Sequence, residues 1–189
     1  MTSRTAIALG CSAGGLAALQ CVLPALDKRL VVPVVVCCHT GSADVSLLVE
    51  LLARVSALPV VEATERATAD PGVIYVAPSG YHLLVEPNAH FSLSVDARVT
   101  YARPSIDVLF ETAADAWQSG LVAVLMTGAN SDGAHGLKAV RKAGGYAIVE
   151  NPETATSDVM PRAGLDIAGA DACLPLDQIA QRLNELCMP

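Results

Sequence analysis

Short runs of apolar residues alternate with longer amphipathic stretches along most of the chain. The uninterrupted apolar runs fall at residues 6–9, 34–38, 73–77, 121–126 and 146–149. Each is the length of a strand buried on both faces and too short for an ordinary helix. Apolar positions at helical spacing cover residues 15–26, 43–56, 105–118 and 133–142, with a last stretch at 176–186. This alternation predicts an α/β fold: a doubly wound, mostly parallel sheet with helices on both faces. One segment breaks the pattern. Residues 81–95, YHLLVEPNAHFSLSV, hold two alternating runs on either side of Pro87-Asn88 and predict an antiparallel β-hairpin. No internal repeat or linker interrupts the chain, so residues 1–189 are expected to form one domain.

Composition sharpens this picture at three points. With 52% hydrophobic and 16% charged residues the chain has the material for a substantial core, and intrinsic disorder is excluded. The mean hydropathy of +0.45 raises the question of a membrane span. The longest apolar run, residues 30–38, is shorter than the roughly 20 residues a spanning helix needs and contains Pro33. Buried parallel strands therefore account for the hydropathy. The N-terminal MTSRTAIALG leads into glycines where a cleaved leader would place its cleavage pattern, so a cytoplasmic protein that is not membrane-inserted is expected. A net charge of −7, with no Lys/Arg cluster, argues against nucleic acid as a partner. The six cysteines (Cys11, Cys21, Cys37, Cys38, Cys173 and Cys187) contain no CxxC pair and mostly sit in apolar segments, which points away from a metal site or a disulfide framework.

In an open doubly wound sheet, ligands gather beyond the carboxyl ends of the strands. Three strand-to-helix loops there are chemically rich: residues 10–15, 39–43 and 127–133. They offer Ser12 within Gly10-Cys11-Ser12-Ala13-Gly14-Gly15, then His39, then Asp132. A serine hydroxyl becomes a useful nucleophile only with a base in reach, and the base needs a partner that fixes its tautomer. Ser12, His39 and Asp132 can supply those three roles in the order Ser…His…Asp. The residues also permit a plainer reading, with Ser12 as a helix cap, His39 as a loop residue and Asp132-Gly133 as a turn. A phosphate held at the helix N-terminus after Gly14 is a third possibility. Dinucleotide binding fits poorly. The first loop lacks GxGxxG spacing, and Cys38-His39 stands where a ribose-binding acid is expected. No GxxxxGK[ST] loop is present. His82 and His90 fall in the hairpin and His135 in a helix, where structural roles are expected.

Several ordered stretches resemble the catalytic domain of the chemotaxis protein-glutamate methylesterases, the CheB family. They are the Gly10–Gly15 loop, the strand ending in His39, and Ala77-Pro78 followed by His82. The resemblance is strongest at Arg103-Pro104-Ser105-Ile106-Asp107-Val108-Leu109-Phe110 and at Met126-Thr127-Gly128 through Asp132-Gly133-Ala134-His135-Gly136. Asn151-Pro152-Glu153 and Met160-Pro161-Arg162 also resemble the family. The resemblance implies a serine hydrolase that demethylates γ-glutamyl methyl esters on chemoreceptor cytoplasmic helices, and deamidates glutamines there, without metal or organic cofactor. It puts the nucleophile, histidine and aspartate on Ser12, His39 and Asp132, with backbone amides at Ala13, Gly14 and Ala129 as oxyanion candidates. The sequence departs from the family at three places: Ala13 replaces a common Thr, His39-Thr40-Gly41 replaces His-Met-Pro, and Gly128-Ala129-Asn130 replaces Gly-Met-Gly. The family's familiar form carries an N-terminal receiver domain, and none is expected here because the first strand begins almost at Met1. A binding module without turnover, and a hydrolase of another small ester, are the alternatives these departures leave open.

Overall fold

A computed structural model describes residues 4–188. The chain runs β1 (Ala6–Cys11), α1 (Gly15–Val22), β2 (Val34–Cys38), α2 (Ser46–Ala53), β3 (Val60–Glu62), β4 (Ile74–Val76), β5 (His82–Val85), β6 (Phe91–Ser94), α3 (Ile106–Trp117), β7 (Leu121–Leu125), α4 (Ala134–Lys142), β8 (Tyr146–Glu150), α5 (Val159–Ile167), β9 (Ala172–Leu174) and α6 (Leu176–Cys187). Seven strands form one sheet in the order β3-β4-β2-β1-β7-β8-β9, and every pairing is parallel. The fully apolar runs became its central strands: every residue of β1, β2 and β7 is buried. Helices cover both faces because those strands have no polar side to show to water.

Alternate residues of one strand feed two separate cores. Ile7, Leu9 and Cys11 of β1 point to the layer that contains Leu19 of α1, Leu52 of α2 and Leu183 of α6. Ala6 and Ala8 face the opposite layer, with Ile106 and Phe110 of α3, Leu137 of α4 and Met160 of α5. The chain moves from β1 outward to β2 on one side and returns through β7 on the other. The strand order therefore switches direction between β1 and β7, and the crevice above that point is where such sheets bind ligands.

Strands β5 and β6 pair antiparallel as a separate two-stranded sheet, His82 opposite Ser94 and Val85 opposite Phe91. Three elements lack a strong periodic signal. β3 and β9 have only three residues each. α5 carries Pro161 in its first turn, where the missing N–H costs nothing because first-turn amides have no intrahelical partner. Cys21 and Cys173 prove exposed, unlike the other four cysteines, and all six are free. Among the described residues no helix is long and apolar enough to cross a membrane. Residues 1–3 of the stretch read for a leader lie outside the described residues.

Candidate active site

The turn from β1 to α1 is built on two glycines. A β-carbon on Gly10 would lie 2.4 Å from Ile106 Cγ2, so the absence of a side chain lets the N-terminus of α3 pack against the end of β1. Gly14 has φ of 81°, a conformation open to glycine at little cost. Between them Ser12 is fixed by its backbone. Its N–H donates to Thr127 O at 2.9 Å, and its carbonyl accepts from Gly15 N at 2.7 Å. Thr127 continues the clamp, since its hydroxyl donates to Ala13 O at 2.8 Å and accepts from Ser157 N at 2.9 Å. Glu150, buried at the end of β8, accepts the Thr127 N–H at 2.7 Å. The Ser12 side chain makes no hydrogen bond among the described residues and is only half-buried. Gly14 is the cap residue of α1, so Ser12 is not the helix cap that its position also allowed.

Asp132 is completely buried, and its carboxylate is saturated with donors. Ser105 Oγ donates to Oδ1 at 2.8 Å, Ile106 N to Oδ2 at 2.7 Å and Asp107 N to Oδ1 at 3.1 Å. These three are the N-terminus of α3, where free amides and the helix dipole favour an anion. The fourth donor is His39, whose Nε2 meets Oδ2 at 2.8 Å. Burial pushes the Asp132 pKa up, but the His39 bond and the α3 donors outweigh it, and the group stays ionised below the ordinary carboxylate range. Gly133 caps α4 with no side-chain bond from Asp132, so a mere turn-and-cap role does not describe this aspartate. Asp132 occupies Nε2, so Nδ1 is the ring nitrogen left to His39 for the crevice. His39 hangs from the end of β2, its N–H bonded to Cys11 O at 3.0 Å.

A second layer steadies the anion. His82 is buried, its Nδ1 accepting from Ser105 N at 3.2 Å while Nε2–H donates to Ala97 O at 3.1 Å. That histidine thus ties the hairpin region to the residue that grips Asp132. Asp107 is a less comfortable neighbour. Its carboxylate accepts Gly136 N at 2.7 Å, but burial foremost, with repulsion from Asp132, raises its pKa to about 6. A carboxyl whose folded pKa lies above its unfolded value destabilises the fold once it ionises, so the penalty grows as pH rises from about 4 and is complete above about 6. Asp107→Asn keeps the acceptor for Gly136 and removes the charge. Urea unfolding is expected to show the variant more stable than wild type by about 2 kcal/mol at pH 8, with the gap nearly closed at pH 4.

Two cavities meet at Ser12 and His39. One, of about 790 Å³, is a polar cleft walled by Ser79, Arg98, Arg103 and Asn130. The other, of about 540 Å³, is an apolar groove between α1 and α2, bordered by Leu16, Leu47 and Leu51. Ala13 lines the cleft and Gly14 the groove. The N–H groups of Ala13, Gly14 and Ala129 make no hydrogen bond among the described residues, whereas that of Ser12 is spent on Thr127. Ala129 is exposed on the loop after β7, but the residue of that loop lining the cleft is Asn130. The structure thus brings Ser12, His39 and Asp132 to one crevice and pairs the last two directly. No hydrogen bond joins Ser12 to His39 among the described residues. The supporting residues Ser105, Thr127, Glu150 and His82 carry no catalytic signature. The legible hints are a Ser-x-Asp helix start at Ser105 and a lone acid closing the apolar run of β8.

A domain model described as CheB methylesterase matches residues 7–183. A relative from Leptospira interrogans is 42% identical over 176 residues, which is 93% of this chain and 91% of the relative. The protein-glutamate methylesterase/protein-glutamine glutaminase 3 of Burkholderia orbicola is 38% identical over 95% of this chain, and the chain spans about half of that relative, 53%. The crystal structure of the Thermotoga maritima CheB methylesterase catalytic domain superposes with a TM-score of 0.93 at 32% identity, covering 98% of this chain and all of that one. A doubly wound domain with this crevice and these relatives is a hydrolase. It belongs to the CheB methylesterase family.

Proposed function

We propose that the protein hydrolyses γ-glutamyl methyl esters on the cytoplasmic helices of chemoreceptors through a Ser12–His39–Asp132 triad, acting in the cytoplasm. The observation that carries this reading is the bond at 2.8 Å from a partly exposed His39 to the buried Asp132, opening beside an unbonded Ser12 side chain in a chain of this family. A carboxylate so held fixes the imidazole tautomer, with the proton on Nε2, and leaves Nδ1 to take the serine proton.

The reaction follows from those positions. Ser12 Oγ attacks the ester carbonyl as His39 Nδ1 accepts its proton, and Asp132 stabilises the imidazolium. The free amides of Ala13 and Gly14, which border the cavities at Ser12, are the donors available to the tetrahedral oxyanion, whereas Ala129 lines neither cavity. One such donor is typically worth about 2.7–4 kcal/mol. His39 returns the proton to the departing methoxide, which leaves as methanol. Water then attacks the acyl-enzyme by the same route and frees the glutamate. A glutamine side chain takes the same path with ammonia as leaving group.

Incubation with a methylated chemoreceptor cytoplasmic domain is expected to release methanol in step with the formation of free glutamate on the receptor. No methanol from folded protein, while a small methyl ester is hydrolysed, would assign the site to another ester. No hydrolysis of either would leave the protein a binding module.

A further inference from the structure

Two buried thiols that the proposed reaction does not use stand directly behind its nucleophile and base. Cys11 ends β1 and precedes Ser12; Cys38 ends β2 and precedes His39. The two residues are partners in the parallel register. Neighbouring strands lie roughly 4.8 Å apart, within the Cα separation of about 4.4–6.8 Å that a disulfide spans. Both side chains point to the α1–α2 side of the sheet and belong to one core cluster. Their sulfurs converge on Gly15, where a β-carbon would sit 2.8 Å from Cys11 Sγ and 3.0 Å from Cys38 Sγ. Any other residue at that position would collide with both thiols.

The two sulfurs are not equivalent. Cys11 is fully buried, whereas Cys38 borders the apolar groove and is reachable from it. Cys38 Sγ donates to the His39 carbonyl at 4.0 Å, and among the described residues the two sulfurs share no hydrogen bond. The neighbouring Cys11 thiol nonetheless holds the Cys38 thiol below its ordinary pKa, while Cys38 and burial push Cys11 well above. Cys37, adjacent in sequence, faces the opposite core and cannot join the pair. Cys21 and Cys173 are exposed elsewhere on the surface.

We propose that Cys11 and Cys38 are a peroxide-responsive thiol pair whose oxidation to a disulfide disarms the adjoining Ser12–His39 site. The Cys38 thiolate attacks a hydroperoxide oxygen: an S–O bond forms, the O–O bond breaks, and the released hydroxide takes up a proton as water. Cys11 then attacks the Cys38 sulfur. The S–S bond forms, the S–O bond breaks, and the Cys11 proton leaves with the hydroxide as a second water. The pair gives up two electrons and the peroxide receives them. The strand spacing of roughly 4.8 Å is at the short end of the disulfide range, below the preferred separation of about 5.5–6 Å, so the bond is strained, and strained disulfides are the readily reduced ones, as a reversible device requires. Spreading the strand ends from that spacing toward the preferred separation moves Ser12 relative to His39, and displacements near 1 Å can cost on the order of 100-fold in rate.

The effect on Ser12 rests on the triad reading, so the test separates the two. The full chain is treated with hydrogen peroxide, and both its intact mass and its labelling by a fluorophosphonate, a probe of activated serines, are followed. Wild type and Cys21→Ala are expected to lose two hydrogen atoms by mass and at least about 10-fold in labelling, with both restored by dithiothreitol. Cys11→Ala and Cys38→Ala should keep their treated-to-untreated labelling ratio near one, and neither should lose the two hydrogens. Wild type that never loses two hydrogens, or the same loss in Cys11→Ala, overturns the thiol pair. A reversible loss of two hydrogens with unchanged labelling overturns the switch. Absence of labelling before any peroxide counts against the triad alone, because the mass readout does not depend on it.

Discussion

Ser12→Ala is expected to reduce methanol release from a methylated receptor domain by about 10⁴-fold or more while leaving stability within about 0.5 kcal/mol of wild type. The two halves of that expectation have separate causes. The Ser12 hydroxyl bonds to nothing within the described chain, whereas its backbone N–H and carbonyl are held by Thr127 and Gly15, bonds that alanine retains. The loss therefore falls on chemistry and spares the fold. His39→Ala should match it in rate, because nucleophile and base act as a unit, and the double variant should be little worse than either single one. Stability separates them. Removing His39 deprives a wholly buried carboxylate of one of four donors, a change expected to cost about 1–3 kcal/mol. Methanol assays beside urea unfolding of the three variants check both halves. A Ser12→Ala protein that keeps more than about a hundredth of the wild-type rate would falsify the nucleophile assignment, since the oxyanion donors alone do not sustain that much.

The layered fold was legible in the sequence because its strands are buried on both faces. A run such as Val34–Cys38 has no polar position to disguise it. The hairpin was equally plain, its alternation broken by Pro87-Asn88. Elements whose existence depends on neighbours were not legible. β3 and β9 are three-residue edge strands stabilised by pairing to β4 and β8, and nothing local in Val60–Glu62 or Ala172–Leu174 demands it. The candidate site divides in the same way. Ser12, His39 and Asp132 follow apolar strands directly, so the rule that loops at strand ends carry chemistry finds all three. What holds Asp132 is a contact between residues 25 to 27 apart in sequence, in which the α3 N-terminus meets the loop after β7. No spacing encodes it. The Gly10 position shows the same thing from the packing side. Its missing side chain is explained by Ile106, nearly a hundred residues downstream, and only the folded chain sets the two together.

Asp132→Asn is the sharper test of how the histidine is held. In wild type, Oδ2 accepts from both His39 Nε2 and Ile106 N, while Oδ1 accepts from Ser105 Oγ and Asp107 N. Asparagine has one acceptor oxygen. With that oxygen facing Ser105 and Asp107, its NH₂ confronts the Ile106 N–H and forces His39 to become an acceptor at Nε2. The imidazole proton then moves to Nδ1, so the nitrogen left for Ser12 can no longer take a proton. Turnover is expected to fall by about 10⁴-fold, the size of effect that a wrong tautomer produces in serine hydrolases. The opposed donors should cost about 1–3 kcal/mol of stability. The pH dependence supplies an independent check. A folded-state pKa below the ordinary value means that Asp132 stabilises the protein above the carboxylate range and loses that contribution as pH falls through it. The stability gap between wild type and Asp132→Asn should therefore be widest near pH 7 and shrink steadily below about pH 4. Urea unfolding across that range, with methanol release at neutral pH, tests both. A gap that stays constant into acid would place the destabilisation in packing and not in the charge. A rate within about 10-fold of wild type would mean that His39 keeps its tautomer without Asp132.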